Sequence, residues 1–262
     1  MRSVIKSHGF TLIEMIVSMI ILGIISIGLI NFGVLGGQTY VDVRNRDEML
    51  NQARFALERI NRDVRHAVPM SLREESNGAC IEFVPIVFSS EFNSTAISLG
   101  ANELPFSREL HAEEITIIQE ACTNTTCYMT IYPLSPDDIY LPNLTDRTFT
   151  YSSVTTSELV LQELINSSIS TVTNRFYIYS SEAISYCFDS SNRLLRGRFD
   201  ISNPTSPIVN VPVASYISST ESSFEYDPTG YRQNGLLEIQ LTVEKRGESL
   251  EFYHNAHVFN GQ

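Results

Sequence analysis

The sequence predicts an α+β protein in which a long N-terminal helix packs on a β-rich globular head. Three observations predict it. Met15 to Val41 is a run of 27 residues without a formal charge. Beyond it, apolar residues recur at three- and four-residue steps as far as Ala67, and Pro69 closes the pattern. After Pro69 the helical period gives way to short β-branched and aromatic runs separated by turn formers.

The uncharged run is long enough to span a bilayer, whose core needs ~20 apolar residues in a helix. Arg2 and Lys6 precede it and place the N-terminus on the cytoplasmic side. A cleaved secretory signal fits less well, because its apolar run is normally only ~7–15 residues. Gly36-Gly37 imitates a cut site, but no Ala-x-Ala pattern stands beside it. Glu14 lies inside the hydrophobic segment, after Phe10, Thr11, Leu12 and Ile13. A carboxylate in lipid is costly and by default marks function. The plain alternative is a side chain at the membrane edge reaching for headgroups.

Tyr40, Val43, Leu50, Ala53, Leu57, Ile60, Val64 and Ala67 form one apolar stripe, with Arg44, Asp47, Arg54, Glu58, Arg62 and Arg65 on the polar faces. Glu58 and Arg62 are spaced to pair weakly along a helix. Pro69 lacks the N–H that continuation needs. A helix from Phe10 to His66 has 57 residues and a length of ~85 Å. Half of it suits lipid and half suits a head domain. Gly23, Gly28 and Gly33 each weaken a helix by ~1 kcal/mol relative to Ala. They permit close helix packing or local unwinding, or are simply tolerated in a membrane helix.

Gly9-Phe10-Thr11-Leu12-Ile13-Glu14, behind a short basic leader and ahead of the apolar run, resembles the type IV pilin and pseudopilin signature. In that family a membrane peptidase cuts after the Gly and methylates the new terminus. The resemblance covers about residues 1–66. It implies cleavage between Gly9 and Phe10, N-methylation of Phe10, and a role for Glu14 in an assembly salt bridge with a neighbouring pilin's terminal amine. It also implies partners: a prepilin peptidase, other major and minor pilins, an inner-membrane assembly platform and the membrane itself. The expected organisation is a leader over 1–9, a transmembrane and filament-core helix over 10–41, and an amphipathic continuation over 42–68. A periplasmic or extracellular head follows over 69–262, held at the inner membrane before assembly and on the pilus after it. Major pilins commonly carry a kinking Pro within the helix. This chain has none between Phe10 and Val68.

In the head the expected strands are Ile81–Phe88, Glu114–Ile118, Tyr128–Tyr132, Glu158–Leu161, Arg175–Tyr179, Ala183–Phe188, Leu194–Phe199, Ile208–Val213 and Ser223–Tyr226. The clearest alternation is Leu237, Ile239, Leu241 and Val243 with Glu238, Gln240 and Thr242 between them. Lys245-Arg246-Gly247-Glu248 reads as a turn, and Leu250–Phe259 alternates again, which predicts a C-terminal hairpin. Ser89–Leu104 and Ser135–Asp146 read as loops. The ending Phe252–Asn260 and the size of the head resemble the O-type minor pilins of mannose-sensitive haemagglutinin (MSHA) pili. J-type minor pseudopilins of type II secretion and W-type minor pilins of twitching pili are near alternatives, and a membrane-anchored adhesin or ligand-binding module is the rival from another class.

The chain holds 18 Lys+Arg against 30 Asp+Glu, for a net charge of −12. Residues 1–41 and 42–66 each carry +1, so the remaining residues carry −14. That acidic head suits solubility outside a cell and argues against a nucleic-acid partner. At 43% hydrophobic residues the composition is globular. No Gly-x-Ser-x-Gly, His-Glu-x-x-His, P-loop or Cys-x-x-Cys pattern is present, so neither enzyme activity nor a cofactor is expected. His254 and His257 fall on opposite faces of a strand, so no metal site is expected there, and His254 shares parity with Leu250, Phe252, Ala256 and Val258. Asp137-Asp138 and Asp189–Asn192 suit turns better than calcium. The N-glycosylation patterns at Asn93, Asn124, Asn143 and Asn166 read as chance matches in polar loops. All four cysteines lie in the head, which fits an oxidising compartment. They allow three connectivities. Cys122 and Cys127 bracket a loop between candidate strands, which favours Cys122–Cys127 with Cys80–Cys187; free buried thiols are the alternative.

Overall fold

The computed structural model describes residues 11–95, 100–141, 146–165, 173–203, 209–228 and 234–259. The chain divides into two units with the boundary after Leu50. Helix α1 (Leu12–Arg65) is continuous across it. In the first unit, Leu12–Leu29 has a mean hydropathy of 2.5 and no buried residue, so this helix is long and apolar enough to cross a membrane. Its hydroxyls are turned onto the helix itself: Ser18 donates to Glu14 O at 2.7 Å and Ser26 to Leu22 O at 2.7 Å. Such back-bonding satisfies both hydroxyl donors within the helix. A Cβ added at Gly23, Gly28, Gly36 or Gly37 would meet nothing, so no packing within the chain requires these glycines.

In the second unit, the last turns of α1 bury Ala53, Ala56, Ile60 and Val64, all at 1% exposure or less. Their spacing of three and four residues puts them on one face. Burying Ile60 and Val64 contributes about 1.5–3 kcal/mol each before ordering entropy is set against it. Among the described residues fourteen strands follow. They are β1 (Arg73–Glu75), β2 (Cys80–Phe83), β3 (Ile86–Glu91), β4 (Glu103–Pro105), β5 (Cys127–Ile131), β6 (Thr148–Val154) and β7 (Glu158–Leu161). Then come β8 (Arg175–Ser180), β9 (Glu182–Asp189), β10 (Arg193–Asp200), β11 (Val209–Ser215), β12 (Ser223–Asp227), β13 (Gly235–Lys245) and β14 (Glu248–Val258). Helices α2 (Ala112–Ala121) and α3 (Asp137–Tyr140) interrupt them.

The strands form three sheets of order β1-β2-β9-β10-β11, β12-β13-β14 and β3-β8-β5-β6-β7-β4. The ends of the six-stranded sheet meet. Phe92 bridges Phe106, Asn93 N–H donates to Pro105 O at 2.9 Å, and Ser107 N–H donates to Glu91 O at 3.0 Å. Curling a sheet on itself removes open edges and encloses a core. That core includes Leu104, Met129, Ile131, Leu159, Phe176 and Ile178, with Phe106 stacked on Phe176 at 5.5 Å. The β1–β2 turn meets β12 where Phe224 N–H donates to Gly78 O at 2.9 Å and Phe188 stacks on Phe224 at 4.5 Å. The β13–β14 turn places Arg246 and Gly247 at φ 54° and 83°, the left-handed pair that a two-residue hairpin turn needs.

The structure corrects several expected elements. Glu114–Ile118 is part of α2, not a strand. Glu114 turns back to accept from His111 N–H at 2.9 Å, and buried Ile118 follows partly buried Ile115 at the helical step. Ile81–Phe88 is not one strand but β2 and β3, divided around Val84-Pro85. The expected loop Ser89–Leu104 holds the end of β3 and the start of β4, and Ser135–Asp146 contains α3.

Candidate functional site: the helix start and the stapled head

Thr11 and Glu14 form the first turn of α1. Thr11 N–H and Thr11 Oγ1 each donate to Glu14 Oε2 at 2.9 Å, and Glu14 N–H donates back to Thr11 Oγ1 at 3.4 Å. This reciprocal capping box satisfies donors that would otherwise be orphaned at a helix start. The acidic side chain also faces the positive end of the helix dipole. Both bonds from Thr11 fall on Oε2. Among the described residues nothing donates to Oε1. Gly9 and Phe10, the expected cleavage and methylation positions, lie outside the described residues.

The head carries two disulfides. Cys80 and Cys187 face each other in the β2–β9 register with Cα atoms 4.2 Å apart. Cys122, at the C-terminal end of α2, is bonded to Cys127, which opens β5. The first joins segments 107 residues apart and the second closes a separation of 5.

Sequence reasoning passed over the polar hub that fastens the end of α1. Asp63 Oδ2 accepts from Tyr186 Oη at 2.7 Å and from Arg196 Nε at 2.8 Å, and Arg59 Nε lies 3.6 Å from Oδ1. The Asp63 and Arg196 side chains are each 14% exposed. Burial pushes the Asp63 carboxyl up, but the Tyr186 hydroxyl, Arg196 and Arg59 together outweigh it and hold the group below its ordinary value. Burial and the facing carboxylate push the Tyr186 phenol up. Gln52 adds a further tie by accepting from Ser215 N–H at 3.1 Å.

The remaining candidates have local partners. Asp138 accepts from Leu134 N–H at 2.7 Å and Ser135 N–H at 3.2 Å, and Asp189 pairs with Arg193 at 2.6 Å. His254 is partly buried and His257 exposed on β14. Among the described residues no group of three or more His, Cys, Asp or Glu side chains gathers around one point. Asn93 Oδ1 accepts from Thr95 Oγ1 at 2.7 Å, and Asn124 lies in the bend after α2, whereas Asn143 and Asn166 lie outside the described residues. A groove of about 490 Å³ is lined by Phe55, Arg59, Arg198, Val209 and Val211, and one of about 480 Å³ by Ser89, Ser90, Ser107, Arg108 and Arg175.

No curated protein and no solved structure matches the chain. Residues 5–30 match the family model of the prokaryotic N-terminal methylation motif. Together with the exposed apolar helix, that match supports a type IV pilin- or pseudopilin-like protein, a structural class, and is consistent with membrane anchoring.

Proposed function

We propose that this chain is a minor type IV pilin, a structural subunit for the initiation or tip of a pilus of the MSHA kind. A prepilin peptidase removes residues 1–9 and methylates Phe10. The precursor sits in the inner membrane by its apolar helix, with residues 69–262 outside the cytoplasm, and then enters the pilus with other pilins through the assembly platform. The observation that carries this reading is the methylation motif over residues 5–30 with Glu14 inside its apolar helix. The −14 balance of residues 67–262 and the two disulfides suit a head outside the cell. The J-type minor pseudopilin is the second reading, supported by the same motif, and the lack of a Pro between Phe10 and Val68 speaks against a major pilin under either reading.

Intact-mass analysis of membrane-expressed chain tests processing. The expected product begins at a methylated Phe10, and Gly9→Val should retain the leader. Normal trimming of that variant would refute the cleavage site. Recovery with co-expressed pilins tests assembly. Glu14→Gln should be cut and inserted normally yet recovered poorly with its partners, and full recovery would remove the salt bridge from the mechanism.

A further inference from the structure

Among the described residues, the outer edge of β14 is open in a way that the other sheet edges are not. Exposed edge strands are ordinarily kept short, bulged or interrupted by Pro, because their free N–H and C=O groups pair with other chains. Here β1 has 3 residues and β12 has 5, while β3 and β4 meet each other at the ends of the six-stranded sheet. The β11 edge carries Pro212 and pairs with β10 through a register irregularity. Strand β14 has none of these guards. It runs for 11 residues in unbroken register with β13, contains neither Pro nor Lys, and pairs with no other described strand.

Its outward side chains are Ser249, Glu251, Tyr253, Asn255 and His257, all exposed, with Tyr253 at 70%. Glu251 is held in place by Tyr253 Oη at 3.1 Å. We propose that β14 pairs antiparallel with the β14 of a second copy of this chain, about a two-fold axis through His254. In that register Glu251 of each copy lies opposite His257 of the other, and Tyr253 lies opposite Asn255. A shift by one residue would set outward side chains against inward ones. Centring the axis on Tyr253 puts Glu251 opposite Asn255, and centring it on Asn255 puts Glu251 opposite Phe259, so the acid–imidazole match is lost both ways. The contact is self-complementary, as a two-fold interface must be. It goes beyond the pilin reading and does not depend on it, since processing and membrane insertion play no part in it.

Full-length chain in detergent micelles tests the register through cysteine pairs. Residues directly opposite have Cβ atoms ~4.5–5.5 Å apart, whereas diagonal neighbours are at ~7–8 Å. Oxidising Tyr253→Cys protein mixed with Asn255→Cys protein should therefore give a crosslinked dimer, and each variant alone should give little. Glu251→Lys should weaken dimerisation by about tenfold, since both copies lose their cross-strand pair. Adding His257→Glu to it sets an acid opposite the new base and should restore the dimer, which shows that the loss was not a failure to fold. A chain that stays monomeric overturns the proposal, including the case in which a different subunit takes this edge. Crosslinking through Tyr253→Cys alone, or no rescue by the charge swap, overturns it as well.

Discussion

Replacing Asp63 by Ala should be among the most damaging polar substitutions in the head. The carboxylate takes two charge-assisted or hydroxyl bonds, at 2.7 and 2.8 Å, and both it and Arg196 are only 14% exposed. Removing one partner of a buried ion pair costs about 3–5 kcal/mol, mostly because the other charge is left without compensation. Residual exposure reduces this, so the expected loss is about 2–4 kcal/mol. Asp63→Asn keeps a hydrogen-bond acceptor for Tyr186 and should lose about 1–2 kcal/mol. The double variant with Arg196→Met should lose less than the sum of the single changes, with a coupling of about 1–3 kcal/mol.

Urea unfolding of the full chain in micelles, followed by near-ultraviolet circular dichroism with disulfides intact, measures these losses through the midpoint. The pH dependence has a definite sign. Because the folded Asp63 carboxyl lies below its ordinary 3.8, its contribution is fully present above that value and is lost as pH falls through the folded value. Asp63→Asn should therefore show a shallower loss of stability below pH ~4 than the parent. A variant within 0.5 kcal/mol of the parent, or additive single changes, would refute the hub as a fastener of α1.

Gly78 sits at φ +82°, and a Cβ there would stand 2.8 Å from Phe224 O, so Gly78→Ala should cost about 1–3 kcal/mol in the same unfolding assay. Glu114 is clasped by Arg108 and accepts from His111 N–H, which holds it at about 2; carboxyl titration by NMR should find it there, and Arg108→Ala should return it toward 4.5. Thr11→Val removes the hydroxyl from the capping box and should destabilise the first turn of α1 by about 0.5–2 kcal/mol, seen as faster amide exchange near Glu14.

The long helix and the C-terminal hairpin were legible because their signals are local. A three- and four-residue apolar step marks Ala53, Ile60 and Val64, and strict alternation marks β13 up to its Arg246-Gly247 turn. The Thr11-x-x-Glu14 box is equally local, but a charge inside an apolar run masks the capping role of Glu14. Helix α2 was opaque because Ile115, Thr116, Ile117 and Ile118 favour a strand by type, while a cap at Glu114 and the burial of Ile118 decide for helix. Strands β1 and β4 have only 3 residues each, too few for a period. The Asp63 hub was out of reach for another reason. Its partners Tyr186 and Arg196 stand 123 and 133 residues away, so only the pairing of β9 with β10 brings them to the helix.

The capping box changes how Glu14 is understood within the proposed assembly. A carboxylate in an apolar helix faces two separate costs, unmet hydrogen bonds and an uncompensated charge. Thr11 meets the first, since its N–H and hydroxyl both reach Oε2 at 2.9 Å. It does nothing for the second, because both donors are neutral. Among the described residues no donor reaches Oε1, so in the proposed assembly an ammonium group from a neighbouring subunit would add compensation without displacing Thr11. Glu14→Gln and Thr11→Val therefore probe different quantities. Loss of the charge should weaken assembly while the helix start persists, and loss of the hydroxyl should loosen the helix start while the charge remains. Equal assembly defects in both variants would mean that the box and the intersubunit pair form one cooperative unit rather than two independent ones.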